Sequence, residues 1–172
     1  MSEPSPSSRP LVVGIGTDDR SDDGIGLDVV RALRAREIPS LDAVEGPGDL
    51  TRLLDLWEDR ATVVLVDAMR TGAAPGTIRR WAPGDPRPAP TGGTVSSHGI
   101  SLEDVLEIAR GLDRLPPHLT IFGIEAEITD TGRERTGPVR AAVPEVCRRI
   151  EAELRESGAP DRTSGAGEPG RA

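Results

Sequence analysis

The sequence predicts an α/β fold: a three-layer α/β/α sandwich around a mostly parallel, twisted five-stranded sheet with one antiparallel strand. Three observations predict it. Residues 11–15, 62–66 and 119–124 are short, β-branched apolar runs without alternation, the pattern of central strands buried on both faces. Between them, apolar residues recur at helical spacing. One link, residues 71–75, is too short to hold a crossover helix, so the strands it joins must run antiparallel.

The elements follow in order. After the first strand, Ile25, Val29 and Leu33 repeat every four residues, and Leu27 and Val30 broaden the face, which predicts a helix over 23–37 with Ser21 or Asp22 as its cap. Residues 41–45 form a weaker strand. Leu50, Leu53, Leu54 and Trp57 fall at i, i+3, i+4 and i+7 and predict a helix over 49–58. The strand at 62–66 is followed by Thr71-Gly72-Ala73-Ala74-Pro75 and a strand at 76–81, expected antiparallel to its predecessor. Residues 82–93 are Pro/Gly-rich and aperiodic, the composition of a flap or docking loop. Ser101 with Asp104 forms a capping box ahead of Leu102, Val105, Leu106 and Ile108, and Gly111 stops that helix. After the strand at 119–124, a last helix opens at Pro138 and carries Val139, Val143, Val146, Ile150 and Leu154 on one stripe.

The 172 residues suit one domain, expected over 11–156, with aperiodic Gly/Pro/Ser-rich tails at 1–10 and 157–172. The only aromatics are Trp57, Trp81 and Phe122, and the net charge is −8, which argues against nucleic acid and anionic membranes as partners. Cys147 is the single cysteine, so no disulfide framework exists. No signal-peptide pattern opens the chain, and no apolar run approaches the roughly 18 residues that span a bilayer. A cytoplasmic protein is expected.

The chain contains no lysine, which removes the P-loop lysine and Schiff-base chemistry together. Gly14 and Gly16 begin a dinucleotide fingerprint, but Asp19 stands where its third glycine belongs. Instead, residues 17–23 carry four aspartates and one arginine, a loop whose sign suits a cation.

Ligands of open α/β sheets bind at the carboxyl ends of the parallel strands. That rule gathers the acidic loop after the first strand, Asp67 at the end of the third, and Ser96-Ser97-His98-Gly99 ahead of the third helix. Two carboxylates and an imidazole suit a borderline divalent ion such as zinc, nickel or cobalt. His98 is the foremost candidate for a ligand or acid–base group. Each has a plainer alternative: Asp22 or Asp23 as a helix-capping acid, Asp67 as a turn acid, His98 as a loop histidine. Glu125 and Glu127 follow the last strand at the same edge, where Glu125 could join the site and Glu127 reads as solvated. His118 enters its strand at the opposite edge and reads as structural, as does Cys147 on the buried helical stripe.

Taken together, Gly14-x-Gly16, Asp22-Asp23-Gly24-x-Gly26, Asp67-Ala68, Ser97-His98 and Gly123-Ile124-Glu125 resemble the hydrogenase maturation protease family over residues 11–154. These endopeptidases trim the C-terminal extension of the large subunit of nickel–iron hydrogenases after nickel insertion. The resemblance implies that Asp23, Asp67 and His98 are catalytic and metal-contacting positions. The metal would be nickel carried by the large-subunit precursor, with another divalent ion possible, and that precursor would be the partner. The chain departs from the family in having Thr17 where Asn is usual, and Asp18-Asp19 where apolar or small residues are common. That excess of carboxylates suggests a loop that attracts a cationic region near the cut. Two alternatives stand beside this reading: a magnesium-dependent phosphotransfer or receiver-like domain, disfavoured by the missing lysine, and a non-catalytic docking module for a metalloprotein precursor.

Overall fold

A computed structural model of the protein describes residues 9–86, 88–91, 100–132 and 134–157. The elements are β1 (Leu11–Gly14), α1 (Ile25–Ala35), β2 (Asp42–Glu45), α2 (Leu53–Leu56), β3 (Thr62–Met69), β4 (Ile78–Trp81), α3 (Leu102–Gly111), β5 (His118–Glu125) and α4 (Gly137–Ser157). 3-10 turns at Ser21–Gly24 and Leu50–Arg52 lead into α1 and α2. The Pro10 carbonyl already accepts from Asp42 N (3.0 Å), extending the β1–β2 ladder by one residue. Of the expected tails, residues 1–8 and 158–172 lie outside the described residues.

The sheet order is β2-β1-β3-β5-β4. The first four of these strands are parallel, and β4 is antiparallel to β5. Alternate residues divide between two cores. Val12, Val64, Val66, Phe122 and Ile124 meet α1 and α4 on one face. Leu11, Val13, Val63, Leu65 and Ile121 meet α2 and α3 on the other. Strands covered on both sides need apolar residues at every position, which is why these runs do not alternate.

Local chemistry accounts for the helix ends. Ser101 Oγ accepts from Asp104 N (3.2 Å) while Asp104 Oδ2 accepts from Ser101 N (2.9 Å), the expected capping box of α3. On α4, Val139, Val146, Cys147 and Ile150 are buried, Val143 and Leu154 are partly so, and Pro144 stands on the exposed side. The expected helix over 49–58 is shorter than its periodicity. Asp49 caps a 3-10 turn by accepting from Thr51 N (3.0 Å), and α2 ends where the Trp57 ring buries itself to donate to the Arg114 carbonyl (3.1 Å).

The strand after the short link, β4, runs antiparallel to its predecessor β3 as expected, but without pairing with it: β5 lies between them, and among the described residues β4 pairs with β5. A short link dictates only that the chain reverses; it does not choose the neighbour. β5 is buried from Leu119 to Glu125 and takes an inner position, whereas β4 carries Arg79 and Arg80 and suits an edge. Arg80 reaches α4 from there, donating to Glu153 (2.7 and 2.5 Å).

The order places a switch point between β1 and β3. The chain leaves β1 toward β2 on one side, and α2 returns it to β3 on the other, so the two exits diverge and leave a crevice at their carboxyl ends. Here α1 lies unusually close to the sheet: a Cβ on Gly26 would overlap the carbonyl oxygens of Ile15 and Val66. Both neighbours are backbone and cannot swing aside. Gly26→Ala is therefore expected to cost about 1–3 kcal/mol or more by overpacking, read as a lower urea midpoint at unchanged slope.

Candidate active site

The crevice is built from the exits of β1 and β3. Ile15 N donates to the Val66 carbonyl (2.7 Å), which carries the β1–β3 ladder one residue past the strand. Gly16 then turns at φ 136, in a region closed to most side chains, and passes against the carbonyl of Asp23. Residues 17–23 fold back so that the Ser21–Gly24 turn packs on β3. Within that turn, Asp23 N donates to the Arg20 carbonyl (3.0 Å), and Asp23 Oδ2 accepts from Thr17 N (3.1 Å). The Asp23 side chain is half-buried at the crevice.

Asp22, the alternative candidate for a helix cap, does something else. It makes no capping bond and is fully buried. Its Oδ2 accepts from Glu127 N (2.9 Å), Ile128 N (3.0 Å) and Thr136 Oγ1 (3.0 Å), and its Oδ1 from Thr136 N (2.7 Å). Asp22 N also donates to the Ile128 carbonyl (3.0 Å). The carboxylate thus staples the β1 exit to the chain between β5 and α4. Burial alone would push its pKa up, but the amides of Ile128, Thr136 and Glu127 and the Thr136 hydroxyl outweigh burial and hold it below the ordinary aspartate value. Ser21, buried at φ 40, makes the sharp turn that lets Asp22 and Asp23 point to different sides, and its hydroxyl donates to the Glu134 carbonyl (2.7 Å).

On the β3 side, Asp67 lies opposite Gly123 of β5 and is half-buried, with Oδ1 accepting from Ala68 N (2.8 Å). Glu125 is buried at 2% exposure, but as a clamp on the β3 exit. It accepts from Thr71 N (2.7 Å), Thr71 Oγ1 (2.8 Å) and Gly72 N (3.0 Å). Glu127 is exposed, as expected of a solvated loop acid, and only its backbone serves the staple. His118 is exposed at the amino end of β5, opposite Thr62 and away from the crevice. Cys147 is buried beneath α1, with burial pushing its thiol pKa up.

His98, with Ser96 and Ser97, lies outside the described residues. The ends of that segment are anchored, by Thr91 N on the Arg70 carbonyl (3.0 Å) and by the Ser101 capping box. Among the described residues no group of three His, Cys, Asp or Glu is arranged to hold a metal ion.

The acidic loop carries less unsatisfied charge than its composition suggests. Asp18 accepts from Arg31 (2.8 and 2.6 Å) and from Arg135 (3.1 Å), and those guanidiniums hold its carboxyl below the usual range. With Asp22 buried in amides, two of the four carboxylates are committed internally. Arg135 and Thr136 are contributors that sequence reading passed over; nothing local to them marks a link to residues more than a hundred positions away.

Fold and crevice together define an α/β protein with carboxylates at the switch point of its sheet. A family model described as HycI, hydrogenase maturation protease, matches residues 27–153. The hydrogenase 2 maturation protease of Escherichia coli K12 is 30% identical over 153 residues, covering 87% of this chain and 93% of that protein. The hydrogenase expression/formation protein HupD of Rhizobium leguminosarum bv. viciae is 30% identical over 145 residues, 82% of this chain and 71% of its own. Among solved structures, the hydrogenase maturating endopeptidase HybD from E. coli superposes with a TM-score of 0.70 at 27% identity, covering 87% of this chain and 94% of that one. The chain belongs to the hydrogenase maturation protease family, and it is an enzyme of that class. The family match begins after Asp23 and spans the positions of Asp67 and His98.

The Asp22 staple has a specific test. Asn presents one oxygen and one NH2, so in either orientation Asp22→Asn sets a donor against at least one backbone N–H. The expected cost is about 1–3 kcal/mol for each donor left unsatisfied. Because the folded pKa lies below its ordinary 3.8, the stabilisation is complete about a unit above that value and disappears as pH falls through the folded pKa. Urea unfolding across the acid range is expected to show an acid limb in the wild type that Asp22→Asn flattens.

Proposed function

We propose that this protein removes the C-terminal extension from the large-subunit precursor of a nickel–iron hydrogenase after nickel insertion, with Asp23, Asp67 and His98 contacting the precursor's nickel. The carrying observation is the convergence of the Asp23 turn and the Asp67 strand end at one crevice, in a chain of this family. Both acids are half-buried, in contrast to the buried structural acids Asp22 and Glu125. Two carboxylate oxygens and an imidazole nitrogen match the preferences of a borderline divalent ion.

The ion belongs to the substrate in this reading, and it would supply charge near the scissile carbonyl. The chain's own part is to bring the precursor's ion and cut site into one geometry, with a carboxylate available to take a proton from the attacking water. Water adds to the carbonyl carbon, the C–N bond breaks, and the new amine takes up the proton. A cytoplasmic location fits a protein whose lone cysteine is a buried thiol. Among the described residues no helix is long and apolar enough to cross a membrane.

The deciding experiment follows the intact mass of a nickel-loaded large-subunit precursor incubated with the protein, beside a nickel-free precursor. Loss of a C-terminal peptide only from the nickel form is expected; binding without cleavage would favour a docking role. Asp23→Ala, Asp67→Ala and His98→Ala are each expected to slow processing at least roughly 100-fold. The thermal midpoints of Asp23→Ala and Asp67→Ala should stay within a few degrees of wild type, since both acids are half-buried and outside the core and the staple, where exchanges cost about 0.5 kcal/mol. Unfolding of these variants would assign the two acids structural roles instead.

A further inference from the structure

Arg135 lies two residues ahead of α4, where the helix dipole disfavours a cation. It is nevertheless held with only 12% of its side chain exposed, and all three guanidinium nitrogens are engaged. Nη1 donates to the carbonyls of Asp18 (3.1 Å) and Ser21 (2.8 Å), and Nη2 to the carbonyl of Gly24 (3.0 Å). Asp18 Oδ1 (3.1 Å) and both Asp28 oxygens (2.8 and 3.2 Å) accept the remaining bonds and balance the charge. The carbonyls bonded by this one planar group bracket Asp23 on both sides. A Cβ on Gly24 would overlap Nη2 and Cζ of Arg135.

We propose that Arg135 is a positioning residue for the reaction: its guanidinium sets the backbone on either side of Asp23, and Gly24 is bare because the guanidinium occupies the space a side chain would take. The inference rests on the reading of Asp23 as a site residue given above. Lysine cannot replace it, since a single ammonium cannot reach three carbonyls and two carboxylates in one plane. Asp22 and Arg135 divide the work: Asp22 fixes the loop to the sheet side, and Arg135 fixes the shape of the turn.

The test uses the full chain, a nickel-loaded precursor, and the variants Arg135→Ala, Arg135→Lys, Gly24→Ala, Gly24→Ala/Arg135→Ala and Asp23→Asn. Arg135→Ala and Gly24→Ala are each expected to lower kcat roughly 10- to 100-fold, the scale of a misplacement near 1 Å. The double variant should be no slower than Arg135→Ala within about twofold, because the three atoms nearest the added methyl all belong to the group already removed. Millimolar guanidinium ion should restore part of the activity of Arg135→Ala and none of Gly24→Ala, and Arg135→Lys should remain slow. Multiplicative losses in the double variant, or a folded Arg135→Ala that guanidinium does not rescue, would overturn the proposal. Should Arg135→Ala fail to fold, Gly24→Ala decides by amide exchange at Asp23: faster exchange supports the proposal, and unchanged exchange rejects it. Full activity in Asp23→Asn would remove Asp23 from the site and the proposal with it. A slow Asp23→Asn beside a fully active Arg135→Ala would overturn the role of Arg135 alone.

Discussion

A carboxylate taken wholly out of water must find a donor for each lone pair it turned away from solvent, and at Asp22 four donors from two distant stretches of chain meet that need. The geometry of the crevice depends on this. Glu127 and Ile128 leave β5, Thr136 precedes α4, and the carboxylate between them belongs to the exit of β1. Two connections that would otherwise be independent loops, β1 to α1 and β5 to α4, become one corner. Ser21 accepts a positive φ to make this possible, a backbone cost of order 1–3 kcal/mol that persists only where surrounding contacts over-determine it. The same turn delivers Asp23 to the other side.

Burial sorts the acids at this edge. Asp22 and Glu125 are out of solvent and saturated with backbone donors, one closing the β1 exit and the other the β3 exit. Asp23 and Asp67, adjacent to the first and two residues short of the second in strand register, are half-buried. A crevice at a switch point offers space for a ligand only if its walls do not move, and the anchoring acids supply that stiffness. Close backbone packing completes it, with Gly16 against Asp23 and Gly26 against Ile15 and Val66.

The charge of the loop illustrates how composition and field diverge. Asp18 is bridged by Arg31 and Arg135, Arg31 also reaches Glu45, and Arg135 reaches Asp28. The outer pairs are exposed and each contributes at most about 1 kcal/mol. Their effect is geometric: planar forks, in a chain whose only long cations are arginines, hold carboxylates and carbonyls in fixed directions.

The sequence by itself determined the layers, the helical faces, the α3 capping box and the edge of the sheet where Asp23 and Asp67 emerge. Those follow from periodicity and chain order, which are local properties. It did not reveal that β5 would part β3 from β4, since a short link sets direction without choosing a neighbour. Nor could it separate Asp22 from Asp23, adjacent acids of one residue type. Their difference arises from Glu127, Ile128, Thr136 and Arg135, residues more than a hundred positions away that only folding brings near. Tertiary structure decided which acid is buried and which faces the crevice, because desolvation and hydrogen-bond supply are properties of the assembled corner, not of the residue.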